Sequence, residues 1–222
     1  MRKSILIVSP HADDETLSCG GLILKNVRQG NDVKVVVFGV GGLKHRHVDN
    51  QTNTDERIKE FNEAMDLLEV TDHEVLFPGK DMKMDTFPMV ELVTVIDDIV
   101  DKGQFDEIYI PHPSHNNDHL LIFRASWASL RRKAHVKPPS IVATYEYVFM
   151  GFDYEPAPGG RMYVDITPFI EMKIEAFMSY KSQIRPFPSP ISPEGIRNLA
   201  RTRGYECGCD FAEMYYLHRM IV

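Results

Sequence analysis

An α/β domain, with a doubly wound, mostly parallel Rossmann-like sheet and helices on both faces, is the fold class this sequence predicts. Three observations predict it. Short Val/Ile/Leu-rich runs alternate with longer stretches of helical periodicity, the signature of strands joined by crossover helices. The runs from Ile5 to Val8 and from Val33 to Phe38 are almost continuously apolar, as strands covered on both faces are. Residues that cap helices stand where a helix should start or hand over to a strand.

Taken in order, the predicted strands are 4–8, 33–40, 74–77, 107–111 and 141–149, and the helices between them are 16–29, 55–68, 90–102 and 119–133. Gly30 follows the first helix where a left-handed cap is expected. Asn53, Thr54 and Asp55 form an N-cap cluster before the second, whose Ile58, Phe61, Met65 and Leu68 recur every three or four residues as one buried stripe. In the fourth, Phe123, Trp127 and Leu130 share a face that reads as core. After Met150 the composition shifts to Gly, Pro and aromatics (151–161), then to a helical stretch at 168–181 and a Pro-rich segment at 184–193. No linker of flexible polar residues precedes this part, so 151–222 reads as an excursion packed on a single domain spanning 1–222.

With 222 residues the chain is long enough to bury one good core. Its 25 Lys and Arg against 32 Asp and Glu give a formal charge of −7, which argues against a duplex nucleic-acid binder. The apolar run near the N-terminus is too short for a secretory h-region or a membrane span, so a cytoplasmic protein is expected. Three cysteines, Cys19, Cys207 and Cys209, are an odd number without an export signal, so reduced thiols are expected rather than a disulfide framework.

Ligands in an open parallel sheet bind beyond the carboxyl ends of the strands. There the first strand runs into His11-Ala12-Asp13-Asp14-Glu15, one imidazole and three carboxylates in five residues. Such crowding raises at least one carboxyl pKa unless a cation or hydrogen-bond donors offset it. A solvated turn capping the next helix would need only one of these acids. The fourth strand ends in His112-Pro113-Ser114-His115-Asn116-Asn117-Asp118-His119. If the two strands are neighbours, His11, Asp14 and His115 can meet, and three N/O ligands with an open fourth position describe a catalytic zinc site. His119 reads as a residue at a helix N-terminus that orients a neighbour, since the stretch 115–119 lacks the Glu of the HExxH pattern. Spacing alone leaves open which of Asp13 and Asp14 binds metal.

These residues carry a resemblance. His11 to Glu15 followed by Gly20-Gly21 resembles the HPDDE motif of the PIG-L/LmbE-like metal-dependent deacetylases, and His112 to His115 resembles their second motif, HPDH. Arg57, Glu60 and Ala64, Asp81, and Val164 to Thr167 are looser matches. Ala12 replaces the family's Pro, and Ser114 a frequent Asp. The resemblance implies His11, Asp14 and His115 as metal ligands, Asp13 as general base and His112 as the group that stabilises the oxyanion. Arg57 and Asp81 match positions that look like sugar-binding residues, with a surface salt bridge as the plainer reading. Glu15 is assigned to support of the loop.

The activity so implied is a zinc-dependent hydrolase that removes an acyl group, chiefly acetyl, from a small amino sugar or glycoconjugate, with Fe²⁺ or Co²⁺ as other acceptable ions. The alternatives are a related amidase acting on a non-sugar amide and a non-catalytic module that binds a nucleotide or metal. The resemblance also accommodates a homo-oligomer. The segment 39–47, ending His45-Arg46-His47, reads as a specificity loop; it lacks a P-loop and a proper GxGxxG.

Overall fold

The computed structural model describes residues 2–41, 53–149 and 160–222. Among them, seven strands form one mixed sheet and six α-helices pack on it. Strands β1 (Ser4–His11), β2 (Asp32–Val40), β3 (Asp72–Pro78), β4 (Glu107–Pro111) and β5 (Ile141–Tyr145) are parallel. Helices α1 (Asp14–Arg28), α2 (Thr54–Leu67), α3 (Met89–Gly103) and α4 (Asn117–Ser129) alternate with them. Then come β6 (Gly160–Asp165), α5 (Ile170–Met178), α6 (Pro193–Cys207) and β7 (Ala212–Met220).

The strand order is β3-β2-β1-β4-β5-β7-β6, and the last two strands run antiparallel to their neighbours. Residues 160–222 therefore extend the same sheet. Sequence periodicity did not reveal α6, β6 or β7, and the helix expected at 168–181 is the shorter α5. Trp127 is also not core. It is 47% exposed, stacks on Phe123 and meets the edge of His218 from β7.

Alternation along each strand divides the core in two, because successive side chains point to opposite faces. Ile5, Ile7, Val35, Val37 and Tyr109 pack with residues of α1, α2, α5 and α6. Leu6, Val8, Val36, Phe38, Ile108 and Ile110 pack with Leu92, Ile96, Val100, Ile122 and Ala125 of α3 and α4. Burying each such side chain contributes about 1.5–3 kcal/mol, and both layers are needed to fix β1 between β2 and β4. From β1 the chain crosses one way to β2, and β4 lies on the other side, so the sheet reverses its winding between β1 and β4. That is where a crevice opens beyond the strand ends.

Candidate metal centre

β1 delivers His11 at its last position, and α1 begins at Asp14 with Asp13 as its N-cap residue. Asp13 has φ 135° and ψ −31°, a left-handed backbone that non-glycine residues rarely adopt. Its N–H donates to Glu15 Oε2 at 3.0 Å. Glu15 is fully buried and also accepts from Thr16 Oγ at 2.8 Å and from the Tyr180 hydroxyl. Glu15 thus holds the turn together from beneath. Such local strain persists only where the surroundings over-determine the conformation, and it clusters at functional sites.

Beyond β4, α4 brings a third side chain to this turn. His11, Asp14 and His119 each offer a ligand atom within 4.8 Å of the others, the arrangement a metal ion needs. His119 Nε2 lies 3.0 Å from Asp14 Oδ2, and His11 Nδ1 lies 3.3 Å from the same oxygen. All three residues are buried. His119 Nδ1 is a buried nitrogen with no hydrogen-bond partner, so this ring retains an uncommitted donor or lone pair. Two imidazoles and a carboxylate are the donor set of catalytic zinc sites that keep one position open. The residues present therefore fit a divalent ion.

His115, expected as a ligand, is exposed and lies outside this group, with its ring 5.8 Å from that of Tyr147. The reason is where α4 starts. Asn116 is the N-cap, its Oδ1 accepting from Asp118 N at 2.9 Å, so His115 precedes the helix and His119 sits in its first turn. Helical side chains lean towards the N-terminus, which aims His119 back at the strand tips. Tyr147 packs edge-on against it with centroids 4.6 Å apart.

His112 does not join the group either. The strand alternation that puts Ile108 and Ile110 on the α3–α4 side continues through it, since its N–H still bonds Tyr145 O at 3.3 Å. Its ring is turned to β5 and β7: Nδ1 lies 3.2 Å from Thr144 Oγ, and the ring centroid is 4.6 Å from that of Tyr216. That placement gives no support to an oxyanion role.

Asp118 is a residue the sequence reading missed. It is 1% exposed, its Oδ2 is 3.2 Å from His11 Nε2, and its Oδ1 accepts from Met84 N at 3.2 Å. Its position beside His119 in a helical first turn was the available signal. Asp81, in the loop after β3, approaches the same His11 nitrogen at 3.5 Å. Arg57, from the first turn of α2, is buried: it donates to Ala12 O, lies 3.5 Å from Asp13 Oδ2, pairs with Glu60 at 3.1 Å and stacks over Tyr180. It is a clamp on the Asp13 turn, not an exposed salt bridge. Residues 42–47 of the expected specificity loop lie outside the described residues.

The electrostatics sort the carboxylates. Burial pushes the Asp13 carboxyl well above its usual range, and the nearby Asp14 and Glu15 charges add to this while Arg57 opposes it. Burial would raise Asp14 too, but His119 and His11 hold it well below. Burial alone would lower His11; the carboxylates of Asp118, Asp14 and Asp81 outweigh it and hold the imidazole well above its ordinary value. Adjacent acids with divergent proton affinities suit different tasks. The low-affinity carboxylate is suited to a cation, and the high-affinity one to a proton.

A family model described as PIG-L, GlcNAc-PI de-N-acetylase, matches residues 6–130. Among solved structures, the chain is similar to the N,N'-diacetylchitobiose deacetylase of Pyrococcus horikoshii, at 23% identity over 97% of this chain and 84% of that one, with a TM-score of 0.76. It is similar to GalB, the 4-carboxy-2-hydroxymuconate hydratase of Pseudomonas putida KT2440, at 19% identity over 99% and 98% of the two chains and a TM-score of 0.80. The zinc-inhibited form of teicoplanin deacetylase Orf2 aligns at 17% identity over 96% and 97%, with a TM-score of 0.71. At these identities the likeness is one of fold. A hydratase beside deacetylases demonstrates that one such fold carries more than one reaction.

Proposed function

The chain belongs to the PIG-L family, and from that membership we propose that it is a metal-dependent hydrolase removing an N-acetyl group from a small amino sugar or glycoconjugate, with Zn²⁺ held by His11, Asp14 and His119. The observation that carries the reading is the meeting of these three side chains at the sheet's switch point, with a proton-seeking carboxylate, Asp13, in the same turn. A divalent ion bound there supplies a Lewis acid that lowers the pKa of water and polarises an acyl carbonyl.

The protein's own residues do the rest. Asp13, when ionised, takes a proton from the attacking water and returns it to the departing amine nitrogen; base and acid work of this kind contributes about 10²–10⁴-fold. Arg57 fixes the turn through Ala12 O and stays near the Asp13 carboxylate. Asp81 faces the group from the β3 loop and is the carboxylate we assign to sugar hydroxyls. No helix among the described residues is long and apolar enough to cross a membrane.

Acetate release from a panel of N-acetylated sugars, sugar nucleotides and glycolipid headgroups tests this reading. Metal-stripped protein should be inactive, Zn²⁺ should restore it, and acetate and free amine should appear in equal amounts. Activity on non-sugar amides alone would replace the sugar assignment. Hydration of an unsaturated acid with no amide hydrolysis would replace the reaction.

A further inference from the structure

We propose that Cys207 and Cys209 form a dithiol–disulfide couple at the turn between α6 and β7, closed by exchange with low-molecular-weight aliphatic disulfides. α6 ends at Cys207, and Gly208 follows with φ 84° and ψ 30°, the left-handed cap that a side-chain-bearing residue disfavours. The N–H groups of Gly208 and Cys209 both donate to Gly204 O, at 2.8 and 3.1 Å. The chain therefore folds back on itself within one residue. This brings the Cys207 and Cys209 sulfurs to 3.5 Å, where the sequence led to an expectation of reduced thiols and no disulfide framework. A disulfide of about 2.05 Å requires the two sulfurs to approach by only about 1.5 Å from this separation.

The alternative occupant of two facing sulfurs is a metal ion, which needs further ligands. Among the described residues, the three-ligand group able to hold an ion is His11, Asp14 and His119, not the cysteines. The two thiols also differ. Cys207 is exposed, whereas Cys209 is half-buried with Sγ 3.4 Å from Phe211 O. Burial, the Cys207 sulfur and Asp165 push the Cys209 thiol up to about 11. Cys207 is thus the attacking group and Cys209 the resolving one.

In the first step the Cys207 thiolate bonds to one sulfur of the small disulfide RSSR and expels RS⁻. In the second, Cys209 gives up its proton, attacks the Cys207 sulfur and expels the second RS⁻. Two protein thiols are oxidised, one RSSR is reduced, and two RSH result. The resolving thiol is mostly protonated at neutral pH, but its attack is intramolecular and the neighbouring sulfur is already in contact, which favours closure over release.

The test uses the folded full-length protein with oxidised glutathione as probe, followed by alkylation, tryptic digestion and mass spectrometry. Cleavage after Arg203 and Arg219 places both cysteines in one peptide. Wild type should yield that peptide lacking two hydrogens and any alkyl group, reversibly on adding dithiothreitol. Cys19, which is fully buried, should stay unmodified until the protein is unfolded. Cys209→Ser should instead accumulate a stable glutathione adduct on Cys207. A stable adduct on wild-type Cys207 would overturn the proposal, as would two freely alkylated cysteines, or a zinc ion retained by the pair and shielding it.

Discussion

Asp13 holds a left-handed backbone at the junction of β1 and α1, and Arg57 and Glu15 restrain it through the Ala12 carbonyl and its own N–H. Its neighbour Asp14 faces two imidazoles, so the two acids divide the work of base and ligand. Asp13→Asn should keep metal content unchanged and lower kcat about 10²–10⁴-fold, as measured on the best acetylated substrate. A loss of metal in step with activity would reverse the two roles. At this scale the acidic turn was legible because it stands at the end of β1, whereas Arg57 and Asp81 were reached only through the family resemblance. The structure brings His119, not the expected His115, to His11 and Asp14. Of His112, His115 and His119, the useful one depends on where a helix starts, and N-cap Asn116 decides that through a single hydrogen bond.

The elements carry the site as a pair of strand-to-helix junctions. Helix α4 presents Asp118 and His119 from its first turn, so Asn116→Ala should cost about 0.5–2 kcal/mol and weaken metal retention, read by urea unfolding and metal analysis of the same samples. Helix α1 must lie close to residue 166: a Cβ on Gly21 would come within 2.4 Å of Ile166 Cγ2. Gly21→Ala should therefore destabilise by about 1–3 kcal/mol through overpacking. Asp97 of α3 ties down the end of α4 through Ser129 and the chain after it through Arg131 and Lys133. Burial would raise its carboxyl, but these partners hold it at about 2, below the usual value of about 3.9. Its contribution is thus complete above about pH 4 and fades as pH falls through about 2. The stability gap between wild type and Asp97→Asn should close over that window in acid titrations followed by circular dichroism. Strands β1, β2 and β4 were legible because two-sided burial writes continuous apolar runs, and helices α1 to α4 because one-sided burial writes stripes. Strand β7 mixes Glu213, Tyr215, Tyr216, His218 and Arg219, and β6 lies at the sheet edge, so neither carries an apolar signature.

Across the whole molecule, one sheet joins the N-terminal switch point to the C-terminal strands. A buried ion pair fastens them: Lys173 Nζ lies 2.6 Å from Glu213 Oε1, and the Glu213 oxygens accept from Gly21 N and Leu22 N at 2.7 and 2.8 Å. Lys173→Met leaves that carboxylate buried without its cation and should cost about 3–5 kcal/mol in urea unfolding. The same arrangement keeps α1, and with it Asp13 and Asp14, in place against β7. The fold could be anticipated from five apolar runs, whereas the site required knowing which two strands are neighbours, a long-range fact that no local pattern encodes. The most direct test is metal content per chain for wild type, His119→Ala and His115→Ala purified in parallel. Wild type and His115→Ala should hold about one divalent ion and His119→Ala almost none. Metal lost from His115→Ala and kept by His119→Ala would contradict the centre described above.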